Sequence, residues 1–250
     1  MPKLTVLEIV QDILNDMDSD EVNSLDDTIE SQQIAAIVKT TYNEIIDGRD
    51  EWPHLNTLVQ LEGLADSTKP NYLKMPDNLQ TLKWVKYNKR KSTDTKDKYH
   101  EVMYLEPKDF MDYINQRDSS ATNVTSITDF SSINLLIRND HAPTYWTSFD
   151  DEYLVFDAYD SAIDSTLQTS KNQAEGPRDA TFTISDTFVP DLPAKAFSYL
   201  LAEAKSVAFN SIKQVANPKE EQRSKRQSYR LSGEKWRHNG GVKYQSYGRK

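Results

Sequence analysis

The sequence contains no cysteine. Disulfides, thiolate zinc sites, iron–sulfur clusters and cysteine nucleophiles are thereby excluded. Glycine is scarce as well, at 7 in 250 residues. No G-x-G-x-x-G or Walker pattern occurs, so the usual phosphate-cradling loops have no material. Four histidines, His54, His100, His141 and His238, share no metal-ligand spacing. No apolar run approaches the ~18 residues that span a bilayer. Met1-Pro2-Lys3 leads into an amphipathic stretch, not the apolar core of a signal peptide. These absences predict a soluble chain with no membrane association. Asn123-Val124-Thr125 matches a glycosylation sequon and, without a secretory signal, reads as chance.

Apolar residues are also thin. They make up 37% of the chain, below the share usual for a globular domain even with glycine added. Aromatics at 10% and clear apolar periods nevertheless argue against disorder. The chain should have much surface for its mass, or should complete its burial against partners.

Charge of one sign is unevenly placed. Residues 195–250 carry 13 basic and 4 acidic side chains, net +9, whereas the remainder carries 17 basic and 35 acidic, net −18. An acidic body with a basic C-terminal arm is the pattern of an interaction tail.

Hydrophobic periodicity predicts a helix over 4–17, with Val6, Ile9, Val10, Ile13, Leu14 and Met17 on one face. A second is expected over 28–46, with Ile34, Ile37, Val38, Thr41 and Ile45 buried, Ile29 and Tyr42 flanking, Gly48 as C-cap, and an Asp27/Glu30 capping box. Trp52 is expected to plug the base of this helix pair before Pro53 prevents continuation. From 55 to 190, short apolar runs separated by turn residues predict strands at 57–62, 79–88, 100–104, 132–137, 144–147, 153–156 and 181–184. A helix is expected at 107–117, opened by Pro107. Residues 119–128 and 168–178 read as loops, and 89–98 as a charged hairpin tip. Helix returns at Pro193 with Phe197, Leu200, Leu201, Ala204, Val207, Ala208 and Ile212, and a very polar helix follows over 219–235.

The predicted fold class is α+β: a helical bundle formed by N- and C-terminal helices, with an inserted β-rich subdomain and an extended basic C-terminal tail. The expected limits are 1–54 for the first helices, 55–190 for the insert, 191–235 for the closing helices and 236–250 for the tail.

Few residues suggest chemistry. Asp16, Asp18 and Asp20 begin like a calcium loop, but Glu21 stands where the turn needs glycine and Asp27 where it needs glutamate. A solvated loop beside the dipole of the following helix accounts for them. Asp150, Asp151 and Glu152, with Asp157 and Asp160, offer paired carboxylates for acid/base work, or simply the ends of a strand. The sequence predicts no catalytic, metal or cofactor site. Arg223, Lys225, Arg226, Arg230, Lys235, Arg237, Lys243, Arg249 and Lys250 interleave with Tyr229, Trp236, Tyr244 and Tyr247. That arm suits nucleic acid, or an acidic protein groove anchored by the aromatics, or a solvated end.

Three stretches carry a resemblance. They are the opening run Val6–Met17; Ile34–Ile46 followed by Arg49-Asp50-Glu51-Trp52-Pro53; and Leu192-Pro193 with Phe197–Lys205 and Phe209-Asn210. In their order and spacing the chain resembles the head-to-tail adaptor (connector, or tail tubular) proteins of tailed bacteriophages, short-tailed ones in particular. The stretches lie in the N- and C-terminal helical parts of the chain, and they match in architecture, not in any catalytic signature. The resemblance implies a structural, non-enzymatic virion protein without cofactors, assembled in the host cytoplasm and placed at the neck between capsid and tail. It implies a homo-oligomeric ring of about twelve copies, contacts with the portal protein and the tail nozzle, and DNA passing through the channel without specific binding. A portal-binding role would fall to Trp236, Arg237, Lys243, Tyr244, Tyr247 and Arg249. The alternative is a nucleic-acid-binding accessory protein that uses the basic aromatic arm.

Overall fold

A computed structural model describes residues 2–48, 52–91 and 93–238, with side chains described as far as residue 232. The chain forms two compact units, one from residues 1–54 with 180–250 and the other from residues 55–179.

The first unit is helical. Helix α1 (Val6–Asp16) starts at Thr5, whose hydroxyl accepts from Glu8 N while the Glu8 carboxylate accepts from Thr5 N. This reciprocal cap satisfies two of the amides a helix start leaves unpaired. Helix α2 (Ile29–Asp47) has its capping box one residue later than expected. Thr28 and Ser31 form it, and Asp27 instead accepts from the amides of Asn23 and Ser24. Helix α4 (Phe197–Ile212) buries Phe197, Leu200, Leu201, Ala204 and Ala208. Helix α5 (Pro218–His238) completes the group. Trp52 is buried and donates its indole N–H to Ile46 O at 3.1 Å, closing the end of α2. Residues 181–184, expected as a strand, form none. Phe182 stacks between Tyr42 and Phe188, at 5.1 and 5.3 Å between ring centres. Aromatic packing, not strand pairing, explains that apolar run.

The second unit is built on one sheet. Its strands are β1 (Asn56–Val59), β2 (Glu62–Gly63), β3 (Tyr72–Lys74), β4 (Trp84–Asn88), β5 (Tyr99–Tyr104), β8 (Tyr145–Ser148), β9 (Tyr153–Phe156) and β10 (Asn172–Pro177), in the order β1-β10-β4-β5-β8-β9-β3-β2. Every pairing is antiparallel except β5 with β8. The hairpin β6 (Val124–Thr128) and β7 (Asn134–Arg138) and helix α3 (Pro107–Asn115) complete the unit.

The two ends of this strand order are neighbours in sequence. Only Gln60 and Leu61 separate β1 from β2, so the sheet curls until its edges meet. Asn172 pins the join: its side chain accepts from Leu61 N at 2.6 Å and donates to Leu61 O at 2.9 Å. Inside lies one apolar cluster that includes Leu61, Tyr72, Val85, Val102, Phe110, Ile137, Phe156 and Ala174.

The expected architecture, a helical bundle with a subordinate β-rich insert and an extended tail, is overturned. An eight-stranded sheet dominates the molecule. Two segments read as loops, within 119–128 and 168–178, are strands β6 and β10, and β10 lies inside the sheet between β1 and β4. Their Ser, Thr, Asn and Gly content hides them from apolar periodicity. The tail also starts later, because α5 runs unbroken through Trp236 and Arg237 to His238.

Candidate functional site

A concavity on the sheet unit is produced by a split between strands. β4 and β5 pair as far as Val85 with Val102. Beyond that pair they part. The chain before Trp84 turns to β10, with Lys83 N donating to Glu175 O at 2.7 Å and Gln80 N to Pro177 O at 3.0 Å. β5 continues to Tyr104 bonded to β8 on its other side, Met103 N to Thr144 O and Leu105 N to Trp146 O. Gly176 permits this divergence. A Cβ there would lie 2.0 Å from Thr81 O, so only glycine lets residues 80–83 approach β10 so closely.

The resulting cleft has a volume of about 700 Å³, within the range of small-ligand and peptide sites. Val102, Trp146 and Leu154 form its buried floor. Trp84 and Tyr104 stand on its sides, and Met103, 62% exposed, lies at its lip. Tyr104 meets Trp146 edge to face at 4.9 Å. Trp84 is held by its indole N–H, which donates to the Glu175 carboxylate at 2.7 Å, and Lys86 sits over its ring at 5.0 Å. Glu101, Asp151, Lys83 and Gln80 form the polar rim. Desolvation, with Glu106 and Asp151 nearby, pushes the Tyr104 hydroxyl pKa above its ordinary value. Around the aromatics stand Glu101, Asp151 and Glu106 together with Lys83 and Lys86, so the cleft carries charges of both signs.

The carboxylates singled out in the sequence do not gather into a catalytic pair. Asp150 accepts from the amides of Glu152 and Tyr153 and shapes the β8–β9 turn. Asp151, in the left-handed region at φ 61°, presents its side chain to the cleft. Glu152 pairs with Lys74 at 3.8 Å. Asp157 is fully buried. One oxygen accepts from the amides of Thr144 and Tyr145, each at 2.8 Å, and the other meets the Arg117 guanidinium at 3.2 Å. That is a clamp joining α3 to the sheet. Asp160 accepts from Ala162 N in a turn. Among the described residues no cluster of His, Asp and Glu could hold a metal ion. Asp16, the first residue of the calcium-like stretch, is bonded to Lys205.

Of the arm, Trp236 and Arg237 belong to α5, while Lys243, Tyr244, Tyr247 and Arg249 lie outside the described residues. The sequence reading missed the cleft, although Trp84 and Tyr104 stood in its expected strands. Which strands diverge is set by pairings of residues ~20 to 90 positions apart, and the only local signal was Gly176 beside Pro177. No protein-family model matches the chain and no curated protein matches its sequence, so its chemistry alone has to carry the functional reading.

Proposed function

We propose that the chain is a structural virion protein, one subunit of a head-to-tail adaptor ring that joins portal to tail and extends the DNA channel. The observation that carries the reading is α5. Over residues 218–232 only Ser224 and Leu231 are buried, and Tyr229 is 82% exposed. One side of α5 packs along α4, and its other side, polar and basic with Tyr229 exposed, is open to a partner of complementary charge. Ile29 and Leu58, 76% and 72% exposed, add apolar contact points away from α5 in sequence. A closed ring needs such unlike surfaces, because each copy meets two different faces of its neighbours. The acidic body suits a channel wall past which DNA slides, since a basic wall would hold it by counterion release. In this reading the chain performs no catalysis and needs no cofactor. The segment from Trp236 onward faces a partner, and the portal protein and the tail nozzle are the ring's neighbours in the virion neck.

Sedimentation velocity of the purified chain, alone and with the portal protein of the same genome, tests the proposal. A shift to a large complex at about one copy per portal subunit is expected. A monomer that ignores the portal overturns it. One observation favours the nucleic-acid alternative: Arg226, Tyr229 and Arg230 are exposed together on α5. DNA binding by the isolated chain that falls steeply with salt would select that reading.

A further inference from the structure

We infer that the cleft between β4 and β5 is a binding site for a neutral oligosaccharide. The inference goes beyond the ring reading and does not rest on it, since every residue it uses lies within the sheet unit.

Two features of the cleft, taken together, select such a ligand. The first is ring surface. Trp84, Tyr104 and Trp146 line one concavity. They are held before any ligand arrives: the Trp84 indole N–H is bonded to the Glu175 carboxylate at 2.7 Å, and Tyr104 meets Trp146 edge to face at 4.9 Å. With its single donor already used, Trp84 offers a visitor only its ring. The face of an aromatic ring is negative, so it attracts a flat group edged with weakly positive hydrogens. The C–H face of a pyranose is such a group. Tyr104 is 49% exposed, and a ring already fixed in place costs little to order on binding.

The second feature is a set of polar groups of both kinds. Ionised Glu101 and Asp151 only accept, Gln80 both donates and accepts, and Lys83 donates. Among the described residues no hydrogen bond or ion pair engages the side chains of Glu101, Asp151 or Gln80. A charged ligand meets a like charge here: an anion faces Glu101 and Asp151, and a cation faces Lys83, with Lys86 over Trp84. A wholly apolar ligand leaves these groups desolvated and unpaired. A hydroxyl is uncharged, donates and accepts, so a polyol can satisfy all four. Its bonds to the carboxylates are charge-assisted, the stronger kind. A peptide strand fits less well. β5 turns only the main-chain groups of Tyr104 to the vacated side, because Met103 N and Leu105 N donate to Thr144 O and Trp146 O, too few for strand addition. At about 700 Å³ the cleft is larger than one sugar ring, and Met103 at its lip is 62% exposed. A short oligosaccharide whose outer units run past the lip fits that shape.

The test screens the full-length chain against an immobilised set of neutral oligosaccharides covering the common hexose and N-acetylhexosamine linkages. The best binder is then titrated by calorimetry. Binding to at least one is expected, with an affinity little changed between low and high salt, since no ion pair forms. Tyr104→Ala should weaken it about tenfold, or ~1.4 kcal/mol, whereas Tyr104→Phe, which keeps the ring, should stay within about threefold of the unmodified chain. Glu101→Gln with Asp151→Asn should also cost about tenfold, as charge-assisted bonds become neutral ones. Asparagine tolerates the left-handed backbone of Asp151, and an unchanged melting temperature confirms that each variant is folded. In the unmodified chain, saturating the aromatic ring protons should transfer magnetisation to the sugar C–H protons, which reads the stacking even where a variant fails to fold. The proposal is overturned if no neutral oligosaccharide binds, or if binding is confined to charged saccharides and lost with salt. Binding that survives Tyr104→Ala unchanged, or that shows no saturation transfer, overturns it equally.

Discussion

The two units of this protein are held together in different ways. In the helical unit, apolar stripes at helical spacing provide the contacts, and the caps are local: Thr5 with Glu8, Thr28 with Ser31. Its one deeply buried charge among the described residues, Lys205 on α4, reaches two carboxylates of α1, Asp12 and Asp16. In the sheet unit the corresponding work is done by buried polar side chains that join distant parts of the chain. Asn172 holds both backbone groups of Leu61, 111 positions away. Asn71 donates to Phe156 O, and Arg117 with Asp157 ties α3 and β7 to the β8 end of the sheet. The difference teaches where specificity resides. Stripes of similar residues tolerate repacking, whereas a buried amide or carboxylate fits only one set of partners.

Breaking the Arg117–Asp157 clamp should have the largest effect. Asp157→Ala leaves a guanidinium buried without its counter-charge and the Thr144 and Tyr145 amides without an acceptor. A loss of about 3–5 kcal/mol is expected in thermal unfolding. Amide exchange would sharpen the comparison: protection should fall in β7, β8 and β9 and stay intact in α1 and α2. Equal loss in both units would show that they do not unfold separately.

Asn172→Ala comes next. It strands Leu61 N–H and C=O at the join of the sheet, for about 2–3 kcal/mol by denaturant titration. A neutral result would show that the edges meet without this pin.

The smallest effect is expected at Lys205. Burial lowers its pKa, but the hydrogen bonds and charges of Asp16 and Asp12 outweigh that and raise it above its ordinary 10.5. A raised lysine contributes stability that is fully present below the unfolded value and is lost as pH rises through the folded one. Lys205→Met keeps the volume and leaves two half-exposed carboxylates, so it should cost about 1 kcal/mol near neutrality. It should also flatten the decline of stability as pH rises above the ordinary lysine value of 10.5. An unchanged alkaline slope would remove Lys205 from the account.

The same difference explains what could be read in advance. Helices α1, α2, α3 and α4 were legible within a few residues because their burial repeats every three or four positions. β9 was legible as a continuous apolar run. β10 was not: Asn172, Gln173, Glu175, Gly176 and Pro177 all disfavour strands, and the segment is a strand because β1 and β4 flank it and Asn172 has a use there. β6 was hidden by its Ser and Thr, and β3 by its length of three residues. The cleft depended on all of these. Its aromatics were visible as strand residues, but no local pattern says that β4 and β5 separate at Val102.

The two-residue step from β1 to β2 has a consequence for synthesis. β1 leaves the ribosome early, yet its partner in the sheet is β10, more than a hundred residues later. At ~5–20 residues per second, that interval is on the order of 10 s. Throughout it the nascent sheet has an unpaired edge and an unsealed apolar interior, a state prone to pairing with other chains. Translation speed across residues 60–177, and chaperone occupancy over the same window, should therefore govern the yield of native protein more than the stability of the finished fold.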